Sequence, residues 1–157
     1  MGNGYIVSID PGETSGYCVY DCPSKIILDY GIEKGDAMAY LFQTYLRTLN
    51  VEVAIVEKFV LFGDMAKPLT GDEMYTSQLI GKLKFIAEGF KVPVYMSEPM
   101  KKIPFGDKRL KVLNLYTTPI HVRDSIRHLL SYLAQTKGVN PNTLEIRKPV
   151  QKLLSKS

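Results

Sequence analysis

Three short runs of β-forming residues come before the first segment with helical periodicity, and that order restricts the fold more than any other feature of the chain. Residues 5–9, YIVSI, form an apolar run that ends at Asp10, where Pro11-Gly12 breaks the strand. Residues 14–20, TSGYCVY, resume the β pattern, and Pro23-Ser24 turns the chain again. Residues 25–32, KIILDYGI, complete what reads as a three-stranded antiparallel meander. Met38, Leu41, Phe42, Tyr45, Leu46 and Leu49 then recur at helical spacing, so a helix is expected over 37–49 with Asp36 as its N-cap. A buried strand follows at 51–56, VEVAIV, ending at Glu57. Residues 58–71 read as a loop with Gly63, Pro68 and Gly71. Helical spacing returns over 72–90, and 92–96, VPVYM, reads as a fifth strand. Residues 97–118 read as irregular and basic. The last helix is expected over 121–135, with Ile126, Leu129, Leu130 and Leu133 on one face and Gly138 as its stop signal. The order β-β-β-α-β-α-β-α predicts an α/β fold, a mixed five-stranded sheet covered by helices on both faces.

A chain of 157 residues is the size of one domain. The expected division is a domain over 1–138 and a polar, basic tail over 139–157. No run of eighteen apolar residues exists, so no membrane-spanning helix is expected. The start lacks a basic segment followed by an apolar stretch, and Ile6 stands where myristoylation wants Ser or Thr. Cys18 and Cys22 have no His or further Cys near them, which makes a poor zinc site and reads as two reduced thiols, consistent with a cytoplasmic protein.

Charge is distributed unevenly. Residues 1–100 carry 8 Lys and Arg against 13 Asp and Glu, whereas residues 101–157 carry 12 against 3. A one-ended basic surplus suits a polyanion, nucleic acid foremost, although a solvated basic surface gives the same count.

Three acids occupy informative places. Asp10 and Glu57 each end a strand, and Asp124 lies near the start of the last helix, three residues after His121. Ligands bind at the carboxyl ends of strands in open α/β sheets. If the first and fourth strands are neighbours, Asp10 and Glu57 lie side by side. Converging carboxylates repel unless a cation neutralises them, and oxygen-rich sites suit Mg²⁺ or Mn²⁺. Two such ions can activate a water and stabilise the leaving oxygen in phosphodiester cleavage. His121 shares a helix face with Asp124 and can ligate a metal or position that water. Each residue also has a plainer reading: Asp10 as a turn initiator, Glu57 as a strand-end charge, Asp124 as a first-turn acid, His121 as a helix-start polar residue and His128 as a surface residue. Gly12 and Gly16 leave little bulk beside Asp10, which would admit a phosphate backbone or simply serve the turn.

At these residues the sequence resembles the RuvC family of Holliday junction resolvases, within the RNase H-like superfamily. The resemblance rests on IDPGETSGYCVYD at 9–21, IVEKFVLF at 55–62 and HVRDSIRHLLSYLA at 121–134, and covers most of 5–135. It implies an RNase H-like mixed sheet and a homodimer that cuts four-way DNA junctions with two Mg²⁺ ions per active site, Mn²⁺ serving as well. The implied metal carboxylates are Asp10, Glu57 and Asp124, with His121 at a fourth position. Family members often carry a junction-contacting aromatic three residues after the glutamate; here Val60 stands there, flanked by Phe59 and Phe62. The family's DNA-contacting lysines map onto Lys101 or Lys102 and onto Lys108 or Lys111, with Arg109 between the latter pair. A short segment before His121 looks like compact bacteriophage members, some of which cut branched DNA broadly. Dimerisation would use the 72–90 helix, where Ser77 and Gly81 permit close approach. Two other functions fit parts of the sequence: a non-catalytic junction-binding module, and a fragment of an actin-like or sugar-kinase ATPase, whose Asp-x-Gly-x-Thr/Ser phosphate loop Asp10–Ser15 satisfies.

Overall fold

The computed structural model describes residues 2–59, 71–99 and 103–147. Strands β1 (Tyr5–Asp10), β2 (Thr14–Asp21) and β3 (Ile26–Lys34) form the expected antiparallel meander. Helix α1 (Ala37–Thr48) leads to β4 (Val51–Glu57), which pairs in parallel with β1. Helix α2 (Gly71–Gly89) leads to β5 (Val94–Ser97), parallel to β4. Helices α3 (Asp107–Val112) and α4 (Ile120–Tyr132) follow, then β6 (Glu145–Ile146). The sheet order is β5-β4-β1-β2-β3-β6.

Alternation along the central strands divides the core in two. Val7, Ile9, Tyr17, Val19, Ala54 and Val56 pack with Met38, Phe42, Tyr45 and Leu46 of α1 and Leu79, Leu83 and Ala87 of α2. Ile6, Cys18, Tyr20 and Ile55 point to the other face, against Val122, Ile126, Leu129 and Leu130 of α4. Each fully buried Leu, Ile or Phe contributes about 1.5–3 kcal/mol, so both helical layers are held by apolar area. Buried polar contacts also tie α4 to the sheet, among them the Ser8 hydroxyl donating to the Ser125 carbonyl at 2.7 Å. Among the described residues no helix is long and apolar enough to cross a membrane, and both cysteines are free thiols.

Four expectations need correction. The sheet has six strands rather than five, because the chain folds beyond residue 138. Glu145 N–H donates to the Lys25 carbonyl and Arg147 N–H to the Ile27 carbonyl, while Leu144 enters the α4-side core. A two-residue strand has no alternation to read, and Leu144, with Ile146 packed beside it, anchors it. The expected tail therefore begins no earlier than residue 148, and residues 148–157 lie outside the described ones. The segment 97–118 contains α3, whose Leu110 is buried. The last helix keeps α-geometry only to Tyr132, then widens into a π-turn over Leu133–Lys137 before Gly138 stops it at φ +64°. Asp36 precedes α1 without capping it; its carboxylate accepts instead from Lys82 (2.8 Å) and the Tyr75 hydroxyl (3.2 Å) of α2.

Candidate active site

Parallel pairing of β1 and β4 puts Ile9 opposite Val56, so both strands end side by side and present Asp10 and Glu57 together. Asp10 also lies opposite Gly16 of β2. That glycine decides where α4 can sit. A Cβ there would fall 1.9 Å from the His121 carbonyl oxygen and 2.5 Å from the Val122 nitrogen. The space over Gly16 is thus taken by the first turn of α4, and not by a phosphate backbone. The close approach delivers His121 and Asp124 to the strand ends. His121 Nδ1 stands 3.3 Å from Asp10 Oδ2, and the imidazole is 43% exposed.

The three carboxyls share one electrostatic environment. Burial pushes the Asp10 carboxyl well above its ordinary value of 3.8, and the negative charges of Glu57 and Asp124 and a hydrogen bond with Glu57 push it further. Burial also raises Asp124, with Glu57 adding and Arg127 and His128 opposing. Residues from β1, β4 and α4, distant in sequence, therefore meet in one partly buried site.

Glu57 and Asp124 also hold protein partners. Arg127 Nη1 donates to Asp124 Oδ1 at 2.8 Å, and the same guanidinium pairs with Asp107 of α3. Arg123 adds a second pair to Asp107 at 3.1 Å. His128 Nε2 lies 2.7 Å from Glu57 Oε2, and its Nδ1 lies 2.6 Å from the Ser97 hydroxyl. Oxygen donors with one imidazole are the right chemistry for Mg²⁺ or Mn²⁺. As the side chains stand, however, no group of three or more His, Cys, Asp or Glu among the described residues is arranged to hold a metal. A cation seated among Asp10, Glu57 and Asp124 would take Asp124 Oδ1 from Arg127 and share the Glu57 carboxylate with His128.

Sequence reading missed His128, Arg127 and Ser97. His128 was read as a surface residue, yet it is 0% exposed. The signal was available, because His121, Asp124 and His128 follow the i, i+3, i+7 spacing of a single helix face.

The candidate DNA contacts divide. Lys108, Arg109 and Lys111 are exposed on α3, which Asp107 joins to the site through Arg127. Arg109 covers the Phe105 ring at 4.4 Å, and Lys111 covers that of Tyr116 at 4.7 Å. Phe59 is partly buried against the α1–α2 core and lines a cleft of about 110 Å³ with Pro11, Glu57, Lys58 and Pro99. Phe62, Lys101 and Lys102 lie outside the described residues.

No protein-family model matches the chain, and no curated protein matches it. Solved structures do. RuvC from T. thermophilus in complex with a Holliday junction substrate superposes with a TM-score of 0.63 at 17% identity, covering 85% of this chain and 95% of that one. A second Thermus thermophilus RuvC structure gives 0.62 at 17% identity, over 85% and 96%. The chain accordingly has the fold of RuvC, an RNase H-like mixed sheet with helices on both faces.

Proposed function

We propose that this protein is a divalent-cation-dependent endodeoxyribonuclease that cuts branched DNA, four-way junctions in particular. The observation that carries the reading is the meeting of Asp10, Glu57 and Asp124 at the carboxyl ends of β1 and β4, where burial, and then mutual repulsion, raise Asp10. Structural isolation of negative charge has little use in a stable core, but it is what a cation site needs. Asp10, Glu57 and Asp124 would hold Mg²⁺ or Mn²⁺, which when bound supplies charge stabilisation on a phosphodiester and a more acidic water. His121, half-exposed and beside Asp10, orients that water or adds a ligand. Lys108, Arg109 and Lys111 bind backbone phosphates on the approach to the site, and Phe59, beside Glu57, offers a ring to an unstacked base.

A homodimer would place two such sites on a two-fold junction. The outer face of α2 supports this part of the reading. Phe85 is 76% exposed and Met74 49% exposed, and the space over Gly81 is open. Phe85→Glu is expected to shift the protein to monomer in sedimentation and to turn paired nicks into single ones; a dimer that survives the change places the contact elsewhere.

A second reading, a junction-binding module that does not cut, is favoured by the pairing of Glu57 with His128 and of Asp124 with Arg127. One experiment separates the two. The full chain is incubated with an end-labelled synthetic four-way junction, with Mg²⁺, with Mn²⁺ and with chelator. Cation-dependent, symmetry-paired nicks are expected. Cation-dependent nicks near any branch, without pairing, would mean a debranching nuclease. Retarded but uncut junction under every condition would establish the binding module.

A further inference from the structure

We propose that His128 is a positioning residue that holds the Glu57 carboxylate through an Nε2–H donor, with Ser97 fixing the imidazole from behind. The inference rests on the reading of Glu57 as a cation-holding carboxylate.

Three contacts carry it. Ser97 and Glu57 lie opposite each other at the ends of β5 and β4, so two adjacent strand ends supply both polar neighbours of the ring. His128 enters from α4, one helical turn beyond Asp124, and touches both: Nδ1 at 2.6 Å from Ser97 Oγ and Nε2 at 2.7 Å from Glu57 Oε2. The ring is fully buried, as is Ser97. A carboxylate can only accept, so Nε2 must carry the proton of that short contact. A neutral imidazole then has its lone pair on Nδ1, and the serine hydroxyl is the donor that stabilises this tautomer. No solvent reaches the ring to replace either bond, which makes the orientation of Glu57 depend on it. Partners of this kind, behind metal-binding carboxylates and imidazoles, commonly change metal affinity by ~10–100-fold when removed. The rest of the same helix face is already engaged: His121 meets Asp10 and Asp124 meets Arg127. His128 thus completes a row in which one helix addresses every carboxylate of the site.

The test uses the full chain and two readouts. Long-range ¹H–¹⁵N spectra of the imidazole report which nitrogen bears the proton, independently of activity. Titration with Mn²⁺ alone reports cation affinity. Nε2 is expected to be the proton-bearing nitrogen in the wild type, with that preference weakened in Ser97→Ala. His128→Phe is expected to weaken Mn²⁺ binding by about 10–100-fold and to lower kcat with little change in KM for the junction. His128→Gln, whose amide can still donate to Glu57, is expected to recover most of that loss, and it serves if the Phe variant does not fold. An unprotonated Nε2 would overturn the proposal. So would wild-type Mn²⁺ affinity in His128→Phe, or an equal loss in His128→Gln and His128→Phe. A wild type that binds no Mn²⁺ while Nε2 bears its proton overturns the nuclease reading itself, and the positioning role with it.

Discussion

Asp10→Asn should lose cleavage of a four-way junction by about three orders of magnitude or more, a barrier increase of ~4 kcal/mol, and keep its affinity for that junction. The loss follows from removing a carboxylate at the meeting point of β1, β4 and α4. The retained affinity follows because the proposed phosphate contacts are Lys108, Arg109 and Lys111, which the substitution does not touch. The same variant should be more stable than the wild type in chelator near neutral pH. The sign is fixed by the raised carboxyl. Because the folded protein holds Asp10 above its ordinary value of 3.8, the folded state favours the protonated form. That contribution is complete below the unfolded value and is lost as pH rises through the folded one. At neutral pH the raised carboxyl therefore costs stability, and the neutral amide avoids that cost. Melting temperatures of the two proteins should therefore converge in acid and diverge, in favour of the variant, as pH rises toward neutrality. A variant that cuts at the wild-type rate would remove Asp10 from the chemistry. One that loses junction binding and keeps its cleavage per complex would make it a DNA contact instead.

Gly16→Ala should be nearly as damaging, though the glycine has no chemistry of its own. The added methyl would fall 1.9 Å from the His121 carbonyl oxygen and 2.0 Å from its carbon. Both are backbone atoms of the first turn of α4, so no side chain can swing aside. The helix must move away from β2, at a cost of about 1–3 kcal/mol for overpacking. Moving that turn also moves His121 and Asp124 away from Asp10, and a displacement of about 1 Å can cost roughly a hundredfold in rate. Urea unfolding should show a lower midpoint with an unchanged slope, and kcat should fall much more than junction affinity. Stability within about 0.5 kcal/mol of wild type together with full activity would show that α4 does not need this contact.

The meander and β4 were legible as short apolar or β-forming runs bounded by turn signals, and α1 and α2 by apolar residues at helical spacing. Convergence of Asp10 and Glu57 was legible only conditionally. Their strand-end positions are in the sequence, but the parallel pairing of β1 with β4 that joins them is a property of the whole sheet. β6 escaped because two residues hold no pattern, and the π-turn at 133–137 escaped because nothing in LAQTK distinguishes it from continued helix. Asp36 misled because a salt bridge across α1 and α2 competes with capping for the same carboxylate. His128 and Arg127 were hidden for a different reason. A polar residue on an amphipathic helix ordinarily faces water, and only the packing of α4 across the strand ends turns this face inward. The role given to Gly16 was wrong in its occupant: the close approach is real, but a helix backbone makes it.

The account depends on a cation displacing Arg127 from Asp124 and settling on a Glu57 carboxylate that His128 still holds. The most direct measurement is an anomalous difference map from crystals soaked in Mn²⁺ with chelated crystals as the control. The expected result is a peak within ~2.2 Å of oxygens from Asp10, Glu57 and Asp124, with Arg127 withdrawn from Asp124. Saturating Mn²⁺ that leaves the Arg127–Asp124 pair in place, with no peak between the three carboxylates, would contradict it.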